Sequence, residues 1–85
     1  YNNNPDPFSS ITSIRFDIPL SLDNTPVSII IYDIKGKEVS KIIDENLKAG
    51  SWVVQWDGSN FARGYYLYRI KAKSFIQTKK MMLVK

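Results

Sequence analysis

The side chains best suited to acid–base work in this 85-residue sequence are its eight carboxylates, because it contains no histidine and no cysteine. The commonest general base and the strongest nucleophile are therefore missing, which excludes Ser–His and Cys–His relays and any thiolate metal site. Paired carboxylates can hydrolyse glycosides, but Asp23, Asp33, Asp44, Glu45 and Asp57 are scattered over turn-like stretches that imply no concave site between them. The densest oxygen cluster is Asp57-Gly58-Ser59-Asn60. A hard cation such as calcium takes such ligands, yet Asp and Asn more often cap turns by accepting from nearby backbone amides, and the cluster is read as a turn. The four glycines stand singly at Gly36, Gly50, Gly58 and Gly64, so no phosphate-cradling loop is present. The reading is a non-enzymatic domain with no cofactor and no metal.

Basic residues beside aromatic ones are the remaining chemistry. Tyr66-Leu67-Tyr68-Arg69 has the composition of a base-stacking or sugar-stacking surface, but packing beneath an opposite sheet accounts for the rings without a ligand. Charge is placed unevenly: residues 1–57 carry 5 Lys or Arg against 8 Asp or Glu, and residues 58–85 carry 7 against none, so the two parts stand at −3 and +7. A basic end is either a solvated face or a docking surface for an acidic partner, and nucleic acid is not expected.

These residues need elements to position them, and the pattern is that of strands. Tyr1 to Ser10, rich in Asn, Pro and Ser, reads as a lead-in or linker, with the domain proper at residues 11–85. Thr12, Ile14, Phe16 and Ile18 alternate with Ser13, Arg15 and Asp17, as in a half-buried strand that Pro19 ends. Val27 to Tyr32 is nearly all β-branched, as expected of a central strand covered on both faces. A hairpin follows through Asp33-Ile34-Lys35-Gly36 into Lys37 to Ile43, and Asp44 to Gly50 reads as a polar connection. Trp52, Val54 and Trp56 share one phase, so both tryptophans are expected to face the core. In Tyr65 to Ala72 the residues Tyr66, Tyr68 and Ile70 oppose Tyr65, Leu67, Arg69 and Lys71, and rings on both faces suggest a sandwich edge. The last strand sets Met81 and Leu83 against Met82 and Val84, flanked by Lys79, Lys80 and Lys85.

Six or seven short strands with turn signals every 8–12 residues argue for an all-β, immunoglobulin-like antiparallel sandwich of about seven strands; a small barrel is the alternative. The expected core includes Ile14, Phe16, Ile29, Ile31, Val54 and Trp56. No apolar run approaches the roughly 18 residues that span a bilayer. The sequence starts at Tyr1 rather than Met, so a longer parent protein is expected, with any export signal upstream.

Several short pieces, in order and spacing, resemble one family. They are Pro5-Asp6-Pro7-Phe8; Ile14-Arg15-Phe16-Asp17-Ile18-Pro19; the hairpin from Ile31 to Val39; Leu47-Lys48-Ala49-Gly50; Trp56-Asp57-Gly58; Gly64 to Ile70; and Gln77 to Lys85. Together they resemble the C-terminal sorting domain of proteins exported by the type IX (Por) secretion system, over essentially the whole chain. The flagellar hook-capping immunoglobulin-like domains share the hairpin and Trp-Asp-Gly pattern. The opening departs from the family, which commonly shows Tyr-Pro-Asn-Pro-Phe where this chain has Tyr1-Asn2-Asn3-Asn4-Pro5-Asp6-Pro7-Phe8.

The resemblance implies a secretion signal in Bacteroidetes-type bacteria. Such a domain directs an upstream cargo domain of the same chain through the periplasm and the outer-membrane translocon, for release or attachment at the cell surface. Partners would be the type IX secretion machinery and a surface sortase-like peptidase. Translocon recognition is expected at Lys79, Lys80, Met81, Met82, Leu83, Val84 and Lys85, and the family's turn and strand residues fall on Gly36, Gly50, Trp56, Asp57, Gly58, Gly64, Tyr66 and Tyr68. The competing reading is an accessory carbohydrate-binding or spacer module of a secreted hydrolase.

Overall fold

The computed structural model describes residues 2–4 and 7–84, so expectations for Tyr1, Pro5, Asp6 and Lys85 lie outside the described residues. Among these residues seven strands form: β1 (Asn2–Asn4), β2 (Ile11–Ile18), β3 (Thr25–Asp33), β4 (Glu38–Leu47), β5 (Gly50–Asp57), β6 (Gly64–Ala72) and β7 (Phe75–Leu83). They make two antiparallel sheets, one ordered β1-β2-β5 and the other β4-β3-β6-β7. The chain crosses between sheets after β2, β4 and β5, which gives the immunoglobulin-like sandwich that the spacing of turns predicts.

Alternation builds the core. Thr12, Ile14, Phe16 and Ile18 of β2 face Val27, Ile29 and Ile31 of β3 and Tyr66, Tyr68, Ile70 and Ala72 of β6, with Trp56, Met81 and Leu83 completing the layer. No buried polar side-chain atom among the described residues lacks a hydrogen-bond partner. The β3–β4 turn closes around Asp33, whose carboxylate accepts from the amides of Lys35 and Lys37, both at 2.9 Å. Gly36 sits there at φ +90°, a conformation that costs any residue with a Cβ.

Four expectations need correction, and three of them concern position within a sheet. Trp52 and Val54 pack against the core as their phase predicts but are only half-buried, because β5 is the edge of the three-stranded sheet. Trp52 also donates its indole N–H to the Lys48 carbonyl at 2.8 Å. β3 is central, but only one of its faces is sealed: Ser28, Ile30 and Tyr32 remain partly exposed. β6 is likewise internal, and the edge of its sheet is β7. Lastly, β4 runs on to the buried Leu47, so the expected polar connection shrinks to Lys48 and Ala49. An edge strand tolerates Asp44, Glu45 and Asn46 in its ladder because one side of it already faces solvent.

The lead-in is built into the sandwich. β1 pairs with β2, while Phe8 crosses to the other sheet and bridges Leu83 in parallel. The Phe8 amide donates to the Met82 carbonyl at 3.0 Å, and the Val84 amide donates to the Phe8 carbonyl at 2.7 Å. Phe8 itself is 1% exposed.

Candidate docking surface

Of the family-motif residues, Gly58 and Tyr66 pack around Trp56 at one end of the core, whereas Gly50 lies at the other end of β5. The Trp56 ring lies 5.8 Å from Phe8, 5.3 Å from Phe61 and 5.3 Å from Tyr66, measured between centroids. Such tilted and edge-on aromatic pairs contribute beyond their buried area. Gly58 packs against this ring: a Cβ added there would lie 3.2 Å from the Trp56 ring and 3.2 Å from Leu83. Its amide donates to the Ser10 carbonyl at 2.7 Å. Asp57 turns outward, and the Ser59 hydroxyl and amide hydrogen-bond to its carboxylate, holding its pKa below the ordinary carboxylate value. The Asp57–Asn60 cluster therefore makes the turn expected of it, and the described residues contain no group of three or more potential metal-binding His, Cys, Asp or Glu side chains.

Tyr66 is the tyrosine corner of the sandwich. It lies near the start of the strand that follows the β5–β6 crossing, and its hydroxyl donates back to the Ala62 carbonyl, four residues upstream. Tyr68, two residues on, is fully buried. Gly64, at φ +144°, pairs with Leu83 where β6 begins, and Gly50 pairs with Ile18 where β5 begins. Tyr66 and Tyr68 hold the sandwich shut.

Burial raises the pKa of Tyr66 above the ordinary 10.0, with the nearby Asp33 charge adding to the shift. Below pH 10 the phenol is neutral whether folded or not, so no pH dependence arises there. Above pH 10 the unfolded tyrosine ionises first, and stability falls as pH climbs through the higher folded pKa. Tyr66→Phe should cost about 1 kcal/mol at neutral pH, since it leaves the Ala62 carbonyl without this donor. It should also flatten the loss of stability above pH 10. Urea melts of both chains on either side of pH 10 check this, and equal alkaline slopes would show that Tyr66 does not titrate on unfolding.

The predicted recognition run divides between two faces. Met81 and Leu83 are each 1% exposed and belong to the core. Met82 is half-buried on the outer face, and Val84 is exposed just past β7. Lys79 and Lys80 are both exposed but point to opposite sides, because strand neighbours alternate. Lys79 has the inward phase of Met81 and remains in water at the sheet edge. Lys80 lies on the outer face, its ammonium 4.8 Å from the centroid of the Tyr65 ring.

Two further cations accompany Lys80 on this outer face. Arg69 holds its guanidinium 5.1 Å from the Tyr32 ring centroid, and Lys71 follows two residues along β6. Register alone locates them: Tyr32, Leu67 and Lys80 form one row across β3, β6 and β7, Ile30, Arg69 and Thr78 the next, and Ser28, Lys71 and Ile76 a third. A sugar stacking on Tyr32 or Tyr65 would need a ring face that a cation already covers. Among the described residues no helix is long and apolar enough to cross a membrane.

No match is found among curated proteins or among solved structures. A model of the secretion system C-terminal sorting domain matches residues 4–85, from β1 to the last residue of the sequence. That span takes in the Trp56 cluster, the tyrosine corner and the β6–β7 hairpin, and the chain belongs to the family of type IX secretion C-terminal sorting domains.

Proposed function

We propose that this domain is the address that carries an upstream cargo domain to the outer-membrane translocon of a type IX system, ending in release or attachment at the cell surface. The carrying observation is the family match across residues 4–85. In this reading the domain is a substrate at each step. The cargo passes through the periplasm, the machinery recognises the folded sandwich at its last strand, and a surface sortase-like peptidase acts on the chain ahead of the domain. Exposed Lys79 and Lys80 on the edge strand β7, and exposed Val84 just past it, support recognition there.

The test appends this domain to the C-terminus of a periplasm-directed reporter in a host that has a type IX system. The intact fusion should reach the surface or medium, and a fusion retained in the periplasm would defeat the reading. Replacing Lys79→Glu together with Lys80→Glu should lower export at least tenfold while the thermal melt stays that of the parent. Wild-type export by that folded variant would remove the basic end of β7 from recognition.

A further inference from the structure

We propose that the outer face of the four-stranded sheet, through Arg69, Lys71 and Lys80, docks an acidic protein surface of the export machinery. This rests on the sorting function above and adds to it a surface and the chemistry of its partner. Alternation and register place these three cations on one face, in three successive rows of the ladder, whereas Lys79 falls on the other side. None of the three pairs with a carboxylate among the described residues, where the recorded ion pair is Lys41 with Asp44 on β4. Among the described residues acids reach this face from β4, where Glu38 lies opposite Tyr32 and Asp44 opposite Ser28. The charge of the face is thus basic over β6 and β7.

Three observations favour a protein over other anions. Two of the three cations, Lys80 and Arg69, stand over tyrosine rings at 4.8 and 5.1 Å, which limits their freedom before binding and lowers the ordering cost of a complex. Between them lies an apolar floor of half-buried Leu67 and Met82, and Tyr, Met and Arg are the side chains enriched in protein interfaces. An open groove of about 280 Å³ between Arg63–Tyr65 and Met82–Val84 adjoins this floor and has room for a partner side chain, with Arg63 at its rim. A lipid surface would need a continuous stripe of apolar side chains standing proud of the charges; here Leu67 and Met82 are half-buried, and exposed Ile76 shares its row with Lys71.

The experiment has a binding arm and an export arm. In the first, the isotope-labelled domain is titrated with poly-L-glutamate and, separately, with phosphatidylglycerol vesicles. Shifts confined to β6, β7 and Tyr32, with affinity falling at least tenfold in the triple variant Arg69→Glu, Lys71→Glu, Lys80→Glu, support the proposal. A control with the same charge change, Lys35→Glu, Lys37→Glu, Lys48→Glu, should alter affinity less than about threefold. Shifts spread over all the lysines, or vesicle binding tighter than poly-L-glutamate binding, would overturn it. In the second arm the folded triple variant should fail to leave the periplasm, while the control exports like the parent. Normal export of the triple variant overturns the docking face and leaves the sorting function standing. Retention of the parent fusion defeats the sorting function, and the binding arm then still decides whether this face selects acidic polypeptide.

Discussion

Trp56→Ala should cost about 3–5 kcal/mol in urea unfolding, a large share of the stability of so small a domain. A chain of this length is stable by about 4–13 kcal/mol at 0.05–0.15 kcal/mol per residue. The expectation follows from what the ring touches: Phe8, Phe61, Tyr66, Gly58 and, through the bridge made by Phe8, the end of β7. An edge ring such as Trp52, which keeps a solvent-facing side, should cost less when truncated, so the pair Trp56→Ala and Trp52→Ala tests the ranking as well as the size. A Trp56→Ala chain within about 0.5 kcal/mol of the parent would mean that the aromatic cluster does not hold the sandwich together.

Removing Met81 to Lys85 should abolish cooperative unfolding altogether. The deletion takes away two fully buried side chains, Met81 and Leu83, and both backbone bonds that tie Phe8 to the last strand. Each buried side chain alone is worth about 2–5 kcal/mol against alanine, so the two, with the lost backbone bonds, take most of what the domain has to lose. Calorimetry of the truncated chain should show no transition; a retained melt would show that β7 closes the core without its end. Loss of export after such a deletion would report unfolding as much as lost recognition, and charge reversals on exposed residues separate the two.

The residue pattern reveals phase and leaves neighbourhood hidden. Thr12 to Ile18 and Tyr66 to Ala72 place the correct side chains inward because alternation is a local property of a strand. Trp52 and Val54 have the same inward phase as Trp56, but half-burial comes from β5 having a neighbour on one side only, and no residue in β5 announces that. Asp44 to Asn46 look like a connection because their polarity is local, whereas their pairing with β3 depends on which strand ended up beside them. The separation of Lys79 from Lys80 was legible, since counting back by twos from buried Met81 and Leu83 puts them on opposite faces. Gathering Arg69, Lys71 and Lys80 also requires the β6–β7 register, which the turn at Lys73 and Ser74 sets. Phe8 carried only its place in a family motif as a signal; its bridge to Leu83 is a contact across nearly the whole chain.

That bridge bears on when the signal comes into existence. A ribosome makes Phe8 well before Leu83, and β7 cannot enter the core, nor Phe8 find its partner, until β7 itself has emerged. A chain that stops short of Leu83 thus carries an open sandwich, with the Trp56 cluster and the inner faces of β3 and β6 exposed to water and to proteases. If the machinery reads the closed fold, export is restricted to polypeptides synthesised through β7, and those that stop short of it are withheld without any separate inspection step.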